Sequence, residues 1–234
     1  MFVGKVSYYK LNTLKMKKIL LLSFAFLLGF TALAQEKFTE GVIVSKQSMT
    51  SDSDNMQVKM QMASMSDVET ITYIKGAKSH SKMNNEATGS VVTISDPEAQ
   101  KILVLMDNPT MGKIYMLQEI KVTDEMLKSV VVIKGDETKE ILGYTCSQYT
   151  VETTQNGAKT SIEMFVTDKI EAAQPQQTAL YGEKVKGFPL YMKMSMNMNG
   201  EQMNIITEVI EIKKETVSDD KFSLTPPEGY KSMY

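Results

Sequence analysis

The sequence contains no tryptophan, a single cysteine, a single histidine and, read residue by residue, no arginine. Without arginine there is no bidentate clamp for phosphate or carboxylate ligands. A chain of net charge −2 with no arginine cluster is also a poor partner for nucleic acid. Cys146 cannot close an intrachain disulfide, so stability must come from the core. Its thiol has no base or electropositive helix start beside it in sequence and reads as a small buried hydrophobe. His80 lies in KSHSKM among polar residues and reads as a solvated strand residue rather than a base. Carboxylates are abundant, Asp96, Asp107 and Glu163 among them, but no spacing singles out an acid and base pair. No glycine-rich phosphate loop and no zinc spacing occurs. The expectation is a protein that is not an enzyme, with no catalytic residue, metal ligand or cofactor assigned.

Charge and hydropathy at the front of the chain point to export. The stretch from Met16 to Gln35, MKKILLLSFAFLLGFTALAQ, sets two lysines before an apolar run and ends in Ala32-Leu33-Ala34. That order is the signature of a cleavable secretory signal, and the run is short for the roughly 20 residues a membrane anchor needs. Residues 1–34 are therefore read as an extension plus signal peptide, and 35–234 as a single domain, periplasmic, monomeric and not membrane-spanning. The residue directly after the cut is Gln35 and not cysteine, so no lipid anchor is expected. Removing the leader takes away Lys5, Lys10, Lys15, Lys17 and Lys18 and no acid, leaving a more acidic chain.

From Glu40 onward apolar and polar residues alternate in short runs between turn residues, the all-β pattern of a sandwich or barrel. The runs predict strands near 41–49, 55–64, 68–75, 78–84, 90–95, 101–106, 112–118, 129–134, 140–153, 159–167, 188–198 and 202–213. Short helices are expected at 123–128 and 171–181. Two Asn-Gly pairs fix hairpin registers, because such two-residue loops favour the primed turn that matches strand twist. Asn199-Gly200 sets Met196 opposite Met203, Met194 opposite Ile205, Met192 opposite Thr207 and Leu190 opposite Val209. Asn156-Gly157 sets Val151 opposite Ile162 and Tyr149 opposite Met164, with Cys146 on the face opposite Tyr149. The Pro226-Pro227 pair reads as part of a stiff tail lying along the barrel.

The string GDETKEILGYTCSQYTVE (Gly135 to Glu152), with SIEMFVTDKI, YIKGAKSHSKM and the closing KFSLTPPEGYKSM, resembles the exported proteins of domain-of-unknown-function family 4412. The likeness rests on Ile141, Gly143-Tyr144, Cys146 and Tyr149, and covers nearly all of the chain after the leader. That family is similar to the LolA/LolB-like lipoprotein-carrier superfamily. The resemblance implies an all-β fold with minor helices, an open antiparallel β-barrel of about 11 strands with a short helical lid. It also implies a greasy interior that takes up a lipid or a lipoprotein acyl chain. The periplasmic carriers move their lid with a buried arginine, and that role maps onto no residue here.

Methionine is what the chain has in excess, 19 residues of it. Met192, Met194, Met196 and Met198 alternate along YMKMSMNMNG, and Met56, Met60 and Met62 alternate along NMQVKMQMAS. With Met203 and Ile205 from the paired strand they are the predicted ligand-binding residues. Unbranched, polarizable methionine adapts to irregular apolar partners, so a hydrophobic ligand in a methionine-lined barrel is the leading reading. One alternative is a Cu(I)-binding envelope protein, because thioethers are soft ligands. Neighbours on one strand face sit roughly 6 to 7 Å apart, so an ion would need the paired strand, as where Met194, Met196 and Met203 approach each other. The other alternative is a structural or interaction domain whose core is dry.

Overall fold

The computed structural model describes residues 37–64, 66–85, 89–120, 130–155, 158–170, 181, 184–198 and 201–234. Lys37 to Tyr234 form a single compact unit. The leader, the helix expected at 123–128, the helix expected at 171–181 apart from Tyr181, and both Asn-Gly turn tips lie outside the described residues.

The strands are β1 (Glu40–Ser51), β2 (Val68–Lys75), β3 (Lys78–Asn85), β4 (Gly89–Asp96), β5 (Lys101–Asn108) and β6 (Gly112–Glu119). They continue as β7 (Val130–Ile141), β8 (Tyr144–Gln155), β9 (Ala158–Thr167), β10 (Phe188–Met198), β11 (Glu201–Lys213) and β12 (Lys231–Ser232). All twelve lie in one sheet of order β12-β6-β5-β4-β3-β2-β1-β11-β10-β9-β8-β7. Every pairing is antiparallel except that of β12 with β6. β7 and β12 stand at opposite edges, so the sheet is an open antiparallel β-barrel rather than a closed one. β1 joins the two meanders by pairing with both β2 and β11.

Both hairpin registers set by the Asn-Gly pairs are present. Met196 pairs Met203, Met194 pairs Ile205 and Met192 pairs Thr207, while Val151 pairs Ile162 and Tyr149 pairs Met164. The pairing of β10 with β11 starts at Tyr191 and Glu208, and β10 bulges against β9 between Pro189 and Tyr191. Leu190 and Val209 still pack together, in the cluster of Phe38, Ile43, Ile74, Cys146, Phe165 and Phe188.

Two expectations are corrected. The strand expected at 55–64 is a helix, α1 (Met56–Ser64). Met, Gln, Lys and Ala are strong helix formers and the segment has only one β-branched residue, Val58. Asn55 caps its start, its Oδ1 accepting from the Gln57 amide at 2.9 Å, and Ser66 closes its end by donating to the Met62 carbonyl at 2.9 Å. Local hydrogen bonding and propensity thus outweigh a period-2 pattern whose apolar members are methionine. The strand expected at 140–153 is split by a turn at Leu142-Gly143, where both residues have positive φ, 51° and 80°. This is a primed turn without the Asn-Gly signal, and it lengthens β7 through Ile141.

The tail after β11 runs along one face. Val217 is buried, its amide donating to Glu40 Oε1 at 2.9 Å. Lys75 Nζ lies 2.7 Å from Asp219 Oδ1 and donates to the Val217 carbonyl at 3.1 Å. Leu224 and Tyr230 pack on Ile94, Leu103 and Leu105, and Lys231–Ser232 pair with Ile114 and Tyr115.

Candidate functional site

In an antiparallel sheet, directly paired residues share a face and alternate residues return to it. Following the pairs across the sheet identifies what each face carries. Met49 pairs Ile205, which pairs Met194; Met203 pairs Met196; Met192 pairs Met164. On the other side of β1, Gln47 pairs Val68, two residues from Thr70; Thr70 pairs Met83, Met83 pairs Val91, Val91 pairs Met106, and Val104 pairs Met116. Among residues whose side chains are described, nine methionines from seven strands therefore share a single face: Met49, Met83, Met106, Met116, Met164, Met192, Met194, Met196 and Met203.

Charge divides the same way. Among the described strand residues that pairing places, the methionine face carries only Lys134 and Glu140 on the edge strand β7, Lys231 on the edge strand β12, and Glu201 at a strand end. Its other members are Val, Ile, Met, Ala, Tyr, Pro or small polar residues such as Ser, Thr, Asn and Gln. The opposite face takes Lys46, Glu69, Lys75, Lys78, Lys82, Asp96, Lys101, Asp107, Lys113, Glu119, Glu152, Glu163, Lys193 and Glu208. It is the face along which the tail lies. Lys139 also sits there, its ammonium 4.0 Å from the Phe165 ring centroid and 5.9 Å from that of Tyr191.

The methionine face is filled in one part. Met164 and Met192 are buried in a cluster with Val130, Val151, Ile162 and Val166, together with Tyr181 and Val185 from the segment before β10. Met49, Met83, Met106, Met116, Met194, Met196 and Met203 are half-buried, as is Ile205. Of the predicted residues, Met192, Met194, Met196, Met203 and Ile205 are thus brought together. Met198 pairs Glu201 at the end of the same strand. Met56 and Met60 are not part of the face: they are 69% and 66% exposed on α1, while Met62 is buried.

Met49, Met83, Met106, Met116 and Met164 were missed by the sequence pattern. Each is a lone methionine in its strand, and its company depends on pairings between strands distant in the chain. Only the alternation within each strand hinted at a face.

The candidates for chemistry are dispersed. Asp96 is bound to Lys78 at 3.0 Å, Asp107 lies 3.7 Å from Lys113, and Glu163 accepts from Gln148 at 2.8 Å. Cys146 is fully buried, and burial pushes its thiol up to about 11. His80 corrects the expectation of a solvated residue. It is half-buried, packs edge-on against Tyr73, and its Nδ1 lies 2.7 Å from the Lys221 carbonyl, with burial holding it below its ordinary pKa. Among the described residues no group of three or more His, Cys, Asp or Glu could hold a metal ion, and no helix is long and apolar enough to cross a membrane. A groove of about 310 Å³ is lined by Glu152, Ser161, Ser195, Met196, Asn197 and Gln202.

No family model matches the chain, and no curated protein matches it. Among solved structures the chain is similar to PNGF-II, at 14% identity and a TM-score of 0.48 over 82% of this chain, which spans only 30% of that one. It is also similar to the Mycobacterium tuberculosis lipoprotein LppX, at 7% identity and a TM-score of 0.29, over 72% of this chain and 85% of that one.

Proposed function

We propose that this is an exported periplasmic protein, without catalytic activity, that holds a hydrophobic ligand such as a lipid or acyl chain against its methionine face. The observation that carries the reading is the segregation of side chains: nine methionines and almost no charge on one face of an open barrel. Apolar area gains roughly 25 cal/mol per Å² when removed from water, and flexible thioether side chains let chains of different length find contact. The absence of charge matters equally, since an unpaired ion beside an acyl chain would be desolvated at a cost. The seat is the half-buried part, Met49, Met83, Met106, Met116, Met194, Met196 and Met203, rather than the part already occupied by Tyr181 and Val185. The resemblance to domain-of-unknown-function family 4412 and the lipoprotein carriers, and the leader at Met16 to Gln35, point the same way.

Native mass spectrometry and lipid extraction of the purified protein test this. Co-purifying lipid, or saturable uptake of a fluorescent fatty acid, supports it. Neither lipid nor uptake would leave a structural or interaction domain with a dry core.

A further inference from the structure

The end of the methionine face nearest residues 199 and 200 brings four thioethers onto three adjacent strands. Met196 of β10 stands opposite Met203 of β11. Met194 lies two residues along β10 and opposite Ile205, and Met49 of β1 meets Ile205 from the other side. The four methionines surround Ile205 and all are half-buried. Directly opposed Cβ atoms are roughly 4.5 to 5.5 Å apart and diagonal ones roughly 7 to 8 Å. An unbranched side chain with three rotatable bonds can bring its sulfur to a common point over such a triangle.

The residues paired around the group are Ile162, Thr160 and Ser51, none of them charged. The nearest carboxylate on this face, Glu201, accepts a hydrogen bond from Ser53 Oγ at 2.5 Å. Among the described residues no His, Cys, Asp and Glu grouping supplies harder donors. An ion seated here would see thioethers, which favour soft, monovalent copper over zinc, calcium or magnesium.

We propose that Met194, Met196 and Met203, with Met49 at their side, form a binding site for Cu(I). The site shares its face with the lipid seat but needs sulfur, whereas the lipid seat needs only apolar surface.

That difference makes the two separable. Full-length protein would be titrated anaerobically with Cu(I) against the chromophoric chelator bicinchoninate, and the loaded protein examined by X-ray absorption. Expected is retention of one Cu(I) per chain with a first shell of sulfur alone. Met196→Leu with Met203→Leu should weaken Cu(I) binding by at least about tenfold, with Met60→Leu, exposed on α1 and outside this face, unchanged. Leucine for methionine conserves volume; a thermal melt confirms folding, and Met194→Leu alone is read if the double variant fails to fold. No Cu(I) retained, a shell containing nitrogen or oxygen, or undiminished binding by the leucine variants would overturn the assignment. Absence of fatty-acid uptake by the unsubstituted protein would count against the lipid reading and leave this one standing.

Discussion

Met192 and Met164 stand directly opposite each other and are both buried, at 8% and 0% exposure, packed with Tyr181 and Val185. Two rungs further along β10, Met196 and Met203 form the same kind of pair but remain half-buried. The filled and the accessible parts of the methionine face meet between these two pairs.

Charge introduced on the accessible part should therefore block an apolar ligand. Met194→Lys with Met196→Lys is expected to weaken fluorescent fatty-acid uptake by at least about tenfold. Lys193→Gln with Asn197→Gln, on the charged face of the same strand, should leave uptake as it was. Equal uptake by the two double variants, measured by titration, would show that the ligand sits elsewhere.

The helix α1 offers a contrast within three methionines. Met56→Gln and Met60→Gln, both at exposed positions, should change unfolding free energy by no more than about 0.5 kcal/mol. Met62→Ala empties a buried position and should cost about 2 to 4 kcal/mol in a urea titration.

Gly41 in β1 has φ of 146°, and a Cβ there would meet the Lys213 carbonyl oxygen and the Phe38 ring. Gly41→Ala is expected to destabilise by roughly 2 to 4 kcal/mol, because both the backbone region and the space oppose a side chain. Denaturant unfolding at neutral pH measures it.

At alkaline pH, two buried groups set the slope. Burial raises Cys146 from 9.0 to about 11 and Tyr181 from 10.0 to about 12. The unfolded chain ionises first, so the stability these groups provide is present below about pH 9 and is lost as pH rises through 9 to 12. Cys146→Ala and Tyr181→Phe should each flatten that decline in urea midpoints measured from pH 8 to 11.5. Thiol reagent should label Cys146 only after unfolding.

His80 gives the opposite sign at the acidic side. Burial lowers its pKa below 6.5, so the unfolded chain takes up a proton that the folded one resists. Stability is present above pH 6.5 and falls as pH drops below it. His80→Asn removes the titration and should give a smaller fall in Tm between pH 7 and 5. An unchanged fall would mean that burial of His80 is not what lowers stability toward acid.

Much of the architecture follows from short-range chemistry. Period-2 alternation marks β2 and β10 at their observed bounds, and the Asn199-Gly200 and Asn156-Gly157 turns fix pairings as specific as Met196 with Met203, because the primed turn admits one register. That Cys146 would be buried and that the tail would lie along the sheet were also legible, from the apolar character of the one and the stiffness of the other.

Where local signals conflict the stronger one wins, and where they are silent tertiary structure decides. In 55–64 the alternation of methionines suggested a strand, but capping by Asn55 and Ser66 and the helix propensity of unbranched side chains made α1. Nothing local could say that β1 lies between β2 and β11. That choice rests on burial of surfaces far apart in the chain, and it is what carries Met49, Met83, Met106 and Met116 onto the face of Met194 and Met203. The sequence by itself determined each strand's two faces; only the long-range pairing decided which faces became one surface, because hydrogen-bonded register is transmitted across a sheet and not along a chain.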